Sequence, residues 1–443
     1  MTLPPGPSSP ALQTASWLYR PIGFLESCRR RFGDTFSVRL LGFETPMVVV
    51  SDPEAIAALY RSGENGLPPG RTLALEPLMG SRSVLLLEGK EHLSRRRLML
   101  PPFHGERMRA YESVIGEVAN ADISSWPLDR PFPIHPRMQA ITLEVIMRAV
   151  FGVSDPGLLR RLRELLTGLL RGVASPALQF RVLLAGRFGR RDPVAELREQ
   201  ARAVDELLDA EIADRRGDPN LADRSDILSM LVAARFDDCG GMDDGELRDQ
   251  LMTLLLAGHE TTATGLAWTF DLLLRHPEPL ARLRGEVEAG EDAYLRAVVS
   301  ESLRLRPVVP LAGRRLTSEL RVGGYVLPQG TDVTPSIWLA HTRPDSYPDP
   351  LEFRPERFLD MQPETYSWIP FGGGARRCLG AAFAEFEMRI VLREVLSRCE
   401  LHPARSSPER IARRNITFSP RRGTPVVLRS RRPASQPAQA VAA

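Results

Sequence analysis

The stretch from about Asp244 to Arg275 constrains the fold more than any other part of the chain. Its apolar residues, Leu251, Leu254, Leu255 and Leu256 among them, fall on nearly every side, the pattern of a helix enclosed by a core. Asp243, Asp244 and Glu246 stand at its positive N-terminal end, Arg275 and His276 at its negative end, and Pro277 stops it. At about 1.5 Å per residue it is roughly 46 Å long, enough to cross a molecule of this size. Yet its middle reads Ala257-Gly258-His259-Glu260-Thr261-Thr262. A carboxylate and two hydroxyls therefore sit at the centre of a buried helix, beside a glycine that costs up to about 1 kcal/mol there.

Around this element the chain divides simply. Residues 33–50 alternate and are rich in Val, Thr and Phe, which predicts a β-hairpin, and Ser51-Asp52-Pro53-Glu54 then caps a short helix. From about 88 to 300 the period is helical. Strand patterns return at 320–336 with Gly323-Gly324 as the turn, a proline-studded stretch fills 343–370, and a helix covers about 379–398. The ending ITFSPRRGTPVVLRS reads as a last hairpin. Helices and strands do not alternate, so the expectation is a mainly α chain with small β-sheets at one edge (α+β), not a doubly wound fold. Residues 1–20 are expected to be a proline-rich segment wrapping the surface, 21–430 a single domain, and 431–443 a disordered tail.

Charge and composition exclude several classes. The net charge of +3 is too even for a dedicated nucleic-acid binder, although residues from Leu401 onward carry nine arginines against Glu409 alone. No run of about 18 apolar residues could span a bilayer, and the start lacks a secretory pattern, so a cytoplasmic protein without a transmembrane segment is expected. The four cysteines, Cys28, Cys239, Cys378 and Cys399, form no C-x-x-C pair. Most should be inert buried thiols. Cys378 differs, because it lies in FGGGARRCLG, between three glycines and a fourth at Gly380, just before a predicted helix. Glycines let backbone amides come close to a sulfur, and the helix start with Arg376 and Arg377 favours a thiolate. That combination suits a single axial metal ligand.

FGGGARRCLG matches F-x-x-G-x-R-x-C-x-G, and through it the chain resembles the cytochrome P-450 monooxygenases. Three further segments agree, in the family's order. AGHETT (Ala257 to Thr262) resembles its oxygen-activation motif, Glu301-Ser302-Leu303-Arg304 its E-x-x-R, and Pro355-Glu356-Arg357-Phe358 its P-E-R-F segment. The likeness spans essentially the whole chain and is to the soluble bacterial type. It implies the cytochrome P-450 fold, a triangular helical domain with haem b (iron protoporphyrin IX) between the long central helix and the helix after the Cys loop.

The resemblance also assigns roles. Cys378 is the proximal metal ligand, with Phe371, Gly372 and Gly380 shaping its loop and Ala257 and Gly258 lying against the cofactor. Arg376, His92, Arg96 and Arg314 are propionate partners, with Arg315 the alternative to Arg314. Glu301, Arg304 and Arg357 form a structural cluster in which Glu301 and Arg304 are i,i+3 neighbours. Thr261 hydrogen-bonds dioxygen or the water beside it and Glu260 relays protons, while Gly258 permits a local widening of the helix. Without the resemblance, Thr261 and Thr262 would read as back-bonding hydroxyls and Glu260 as a paired surface acid.

With neither a flavin nor an iron–sulfur pattern in the sequence, electrons must come from a ferredoxin or flavodoxin with its reductase. Arg95, Arg96, Arg97, Arg107, Arg109, Arg376 and Arg377 are the candidate docking patch. The substrate pocket implied by the family comprises Leu73, Leu75, Leu78, Met79, Val84, Leu178, Phe180, Leu254, Ala257, Val308, Val309, Leu311 and Ile416. It is nearly all apolar, with Arg71 and Arg82 the only nearby carboxylate anchors. A hydrophobic terpenoid, fatty acyl or polyketide substrate follows, hydroxylated or epoxidised by a monomeric enzyme of secondary metabolism. The alternatives are a reductase-independent peroxygenase or isomerase, which the Glu260-Thr261 pair opposes, and a non-catalytic haem-binding sensor.

Overall fold

The computed structural model describes residues 3–43, 45–63, 66, 76, 78–152, 156–173, 195–236, 240–360, 363–414 and 416–432. Its proline-rich start contains helix. Ser9 accepts a hydrogen bond from the Leu12 amide at 3.4 Å and Pro10 fills the first helical position, so a helix forms over Pro10–Tyr19, followed by another over Pro21–Phe32. The expected hairpin is present as β1 (Thr35–Val38) and β2 (Met47–Val50), with Thr35 opposite Val50. Asp52 caps the helix Pro53–Arg61 by accepting from the Ala55 amide at 2.9 Å.

The helical middle contains Gly89–Met99, Ala110–Ser124, His135–Phe151, Pro156–Val173, Ala195–Gly217 and Ile227–Ala233, with the short strand β3 (Pro131–Pro133) among them. The central segment is two helices rather than one, Asp244–Gly258 and Glu260–Leu273, meeting at His259. Hydroxyls cause the interruption. Thr261 Oγ1 donates to the Ala257 carbonyl at 3.0 Å, Thr262 Oγ1 to that of Gly258 at 3.2 Å, and Thr142 Oγ1 to that of His259 at 2.9 Å. Each competes for a carbonyl of the helix ladder, which bends the helix there. The pair is otherwise enclosed as expected, with Leu251, Leu255, Leu266, Phe270 and Leu273 all in the main core. Helices Pro277–Ala289 and Ala293–Leu305 complete this layer.

Among the described residues, four small sheets flank the helices. Strands β4 (Arg314–Arg315), β5 (Leu320–Val322), β6 (Tyr325–Leu327) and β7 (Asp332–Pro335) follow the helices. One sheet has the order β1-β2-β7-β4, and β5 and β6 pair around Gly323-Gly324. After the helix Ala381–Arg398 come β8 (Cys399–Pro403), β9 (Ile411–Arg414), β10 (Thr417–Pro420) and β11 (Pro425–Arg431). The expected last hairpin does not form. β10 pairs back with β9, while β11 crosses to lie between β3 and β8. Gly423 and Thr424, with φ of 73° and 52°, turn the chain from one sheet to the other. The last strand takes in Arg431, the first residue of the expected tail; residues 433–443 lie outside the described residues.

Candidate functional site

Cys378 sits just before the Ala381–Arg398 helix, its amide bonded to the Phe371 carbonyl at 2.9 Å. That bond closes the loop on itself. Gly372 and Gly374 take φ of 69° and 65°, which favour glycine, and a Cβ on Gly373 would come 2.5 Å from the Tyr60 ring. The glycines thus shape the turn and seat it on Tyr60, where the sequence suggested close approach of amides to sulfur. Among the described residues, the Gly380 amide is the one directed at the thiol. The surrounding protein desolvates the Cys378 thiol and raises its pKa even though the side chain's own surface is exposed, and the Gly380 amide, Arg96 and Arg377 oppose that rise. Cys28 and Cys399 are buried and pushed up to about 11, whereas the Cys378 side chain is accessible. Cys239 lies outside the described residues.

Arg96 links this thiol to a cationic cluster. His92 and Arg96 come from the Gly89–Met99 helix, Arg314 from β4 and Arg376 from the Cys loop. Burial and the charges of Arg376, Arg96 and Arg314 hold the His92 imidazole down to about 4. Burial also lowers Arg96 and Arg314. Among the described residues no carboxylate pairs with Arg96 or Arg314. Arg315 is committed elsewhere, donating to Asp332 at 2.8 and 3.0 Å, which separates the two arginines the sequence left open. Arg96 and Arg314, two like charges drawn in from solvent with no carboxylate partner among the described residues, call for an anion. A dicarboxylate beside an accessible thiol fits haem b, whose propionates and iron require those two groups.

Glu301 and Arg304 are completely buried and joined by two hydrogen bonds of 2.6 and 2.8 Å. Arg304 also donates to the carbonyls of His341, Pro350 and Glu352. Arg357 Nε lies 3.5 Å from Glu301, so the expected three-residue cluster is assembled. His341, which sequence reasoning missed, completes it. Its Nε2 accepts from the Ile369 amide at 2.8 Å and its Nδ1 donates to the Arg304 carbonyl at 3.1 Å.

On the central helices, Ala257 is exposed and Thr261 half-buried while Leu255 and Ala263 are buried, so this turn faces away from the core. Gly258 faces the other way, where a Cβ would lie 3.3 Å from Ile146. Close packing is its requirement, beside the break at His259. Glu260 is not a surface acid. It receives a hydrogen bond from Gln139, and burial raises its pKa above the usual carboxylate value. Of the pocket candidates, Leu78, Met79, Val84 and Val308 are buried, Leu254, Val309 and Leu311 half-buried, and Ile416 is 65% exposed at the turn between β9 and β10. Leu73, Leu75, Leu178, Phe180 and Arg71 lie outside the described residues.

A family model described as Cytochrome P450 matches residues 4–425. A Mycobacterium tuberculosis protein named cytochrome P450 135B1 is 44% identical over all of this chain and 94% of its own length. A second from that organism, cytochrome P450 137, is 40% identical over 91% of this chain and 84% of its own. The retinoic acid-bound cyanobacterial CYP120A1 superposes with a TM-score of 0.82, at 25% identity over 97% of this chain and 100% of that one. The haem domain of cytochrome P450DA gives 0.83 at 22% identity over 97% and 98%. The chain belongs to the cytochrome P450 family. It is a haem-binding monooxygenase, an oxidoreductase that uses dioxygen and an electron-donating partner. Among the described residues no helix is long and apolar enough to cross a membrane.

Proposed function

We propose that this monooxygenase hydroxylates or epoxidises an uncharged, terpenoid-like apolar molecule, with Cys378 as the proximal ligand and Thr261 and Glu260 as the proton-handling pair. The carrying observation is the accessible Cys378 thiol beside Arg96, which, like the buried Arg314, has no carboxylate partner among the described residues. Haem, when bound, supplies the iron centre at which dioxygen is reduced and split. Cys378 would hold it from one side, while His92, Arg96, Arg314 and Arg376 hold its propionates. On the central helices, the Thr261 hydroxyl would hold a proton near Ala257, and burial, by raising the Glu260 pKa, favours its holding a second.

The substrate reading rests on charge. Arg82, one of the two carboxylate anchors suggested by the sequence, is ion-paired with Asp243. That commitment takes one of the two anchors away from a fatty acid carboxylate and favours shape and apolar contact in orienting the substrate. The neighbour solved with retinoic acid shares the isoprenoid skeleton but carries a carboxylate. For electrons, Arg97, Arg107, Arg109 and Arg377 are exposed and suit an acidic ferredoxin or flavodoxin. Arg95 is drawn off by Glu246 at 2.7 Å.

Titrating ferric protein with terpenoids and with long-chain fatty acids, following the Soret band, tests the substrate class. A low-to-high-spin shift with terpenoids alone is expected; a shift with fatty acids alone overturns it. Cys378→Ala should lose the thiolate haem spectrum, and Thr261→Ala should divert reducing equivalents to peroxide.

A further inference from the structure

Glu260 leans away from its own helix, onto the start of His135–Phe151. Gln139 Nε2 donates to its Oε2, and His135 Nε2 lies 3.7 Å from its Oε1. Thr264, one turn on, shares a hydrogen bond with the same carboxyl, and its Oγ1 lies 3.1 Å from His135 Nε2. His135 and Thr264 are both buried, at 1% and 0% exposure. The nearby charged and titratable groups are Arg414 on β9, which acts on both Glu260 and His135, and His259 at the helix junction.

We propose that His135 and Gln139 are positioning residues that hold the Glu260 carboxyl on the Thr264 side of its helix and thereby set the pH at which it gives up its proton. The consequence for catalysis rests on Glu260 being the proton donor; the holding itself does not. With the Thr264 proton directed at Glu260, His135 Nε2–H is left to donate to Thr264 Oγ1, giving a chain from His135 through Thr264 to Glu260. Donors to a carboxylate favour its charged form, whereas burial disfavours it. Gln139 and Thr264 therefore offset burial at Glu260, and His135 strengthens the Thr264 bond by fixing the hydroxyl. His135 does this as a neutral ring, because burial, Arg414 and His259 hold it down to about 4.

Infrared difference spectra of the ferric holoenzyme across pH test this, with the Glu260 carboxyl band assigned by its loss in Glu260→Gln. In Gln139→Leu and in His135→Phe the midpoint of the band should rise by about one pH unit, tenfold in proton concentration. His135→Gln, which keeps a donor at that position, should restore it. Unchanged midpoints in both Gln139→Leu and His135→Phe overturn the proposal, as does equal behaviour of His135→Gln and His135→Phe. An unaltered Soret spectrum in each variant establishes that it folds, and the two substitutions report independently. If Glu260 is the donor, the upper pH limit of coupled turnover moves with the band. A band that shifts while coupling stays fixed removes Glu260 from proton delivery and leaves its positioning established.

Discussion

Arg314 and Arg315 are consecutive on β4, so their side chains leave opposite faces of the strand. Arg315 meets Asp332 and Arg314 turns inward beside the Tyr60 ring, 5.8 Å from its centre. Arg314→Ala should therefore speed haem transfer to an excess of apomyoglobin, by about tenfold or more if one charge-assisted bond of roughly 1.5–3 kcal/mol is lost. Arg315→Ala should leave the transfer rate within about twofold and lower stability modestly through Asp332. Equal rates would assign the propionate contact to neither. Alternation along a strand cannot choose between two adjacent arginines until the strand's partners are known, which is why the sequence left both open. His135 and Gln139 carried no signal at all. They lie more than a hundred positions from Glu260, and only the packing of two helices brings the three together.

At the scale of elements, what was legible was local. Glu301 and Arg304 are three apart on one helix, and their pairing follows from helix geometry. The Cys loop announced itself by its glycines. By contrast the break at His259 depends on the Thr142 hydroxyl of another helix, and the partner of β10 depends on which strand the turn at Gly423 leaves within reach. The helix over Pro10–Tyr19 was readable from Ser9-Pro10, a cap followed by a first-turn proline, but proline content masked it. Arg304→Leu should cost about 3–5 kcal/mol, because Glu301 is left buried and charged without its partner. Its midpoint in urea unfolding should fall accordingly, and an unchanged midpoint would show that Arg357 suffices. Gly373→Ala should also destabilise, through the Tyr60 ring, and Tyr60→Ala in the same chain should recover part of that loss.

Over the whole molecule, four of the seven histidines are buried and neutral. His92, His135 and His259 are held near 4 and His341 near 3, against 6.5 when exposed. Unfolding in that range takes up protons, so stability is complete above about pH 6.5 and falls as the pH drops toward 4. Glu387, buried and raised well above the ordinary carboxylate value, works in the opposite sense. His341→Gln isolates one contribution. Its stability in urea should fall less steeply between pH 6.5 and 4 than that of the parent, by about one proton. Parallel curves would mean that His341 is already neutral in the unfolded chain.

The crossing of β11 has a consequence for how the protein is made. The Thr424 and Gly423 carbonyls accept from the amides of Ile134 and His135, at 3.1 Å each, and among the described residues β3 has no other strand neighbour than β11. The entrance to the His135–Phe151 helix is thus pinned by residues synthesised almost three hundred positions later. While the chain is still emerging from the ribosome, that helix can form its turns but cannot be anchored. Final docking of the end that bears His135 therefore waits until translation has passed β11.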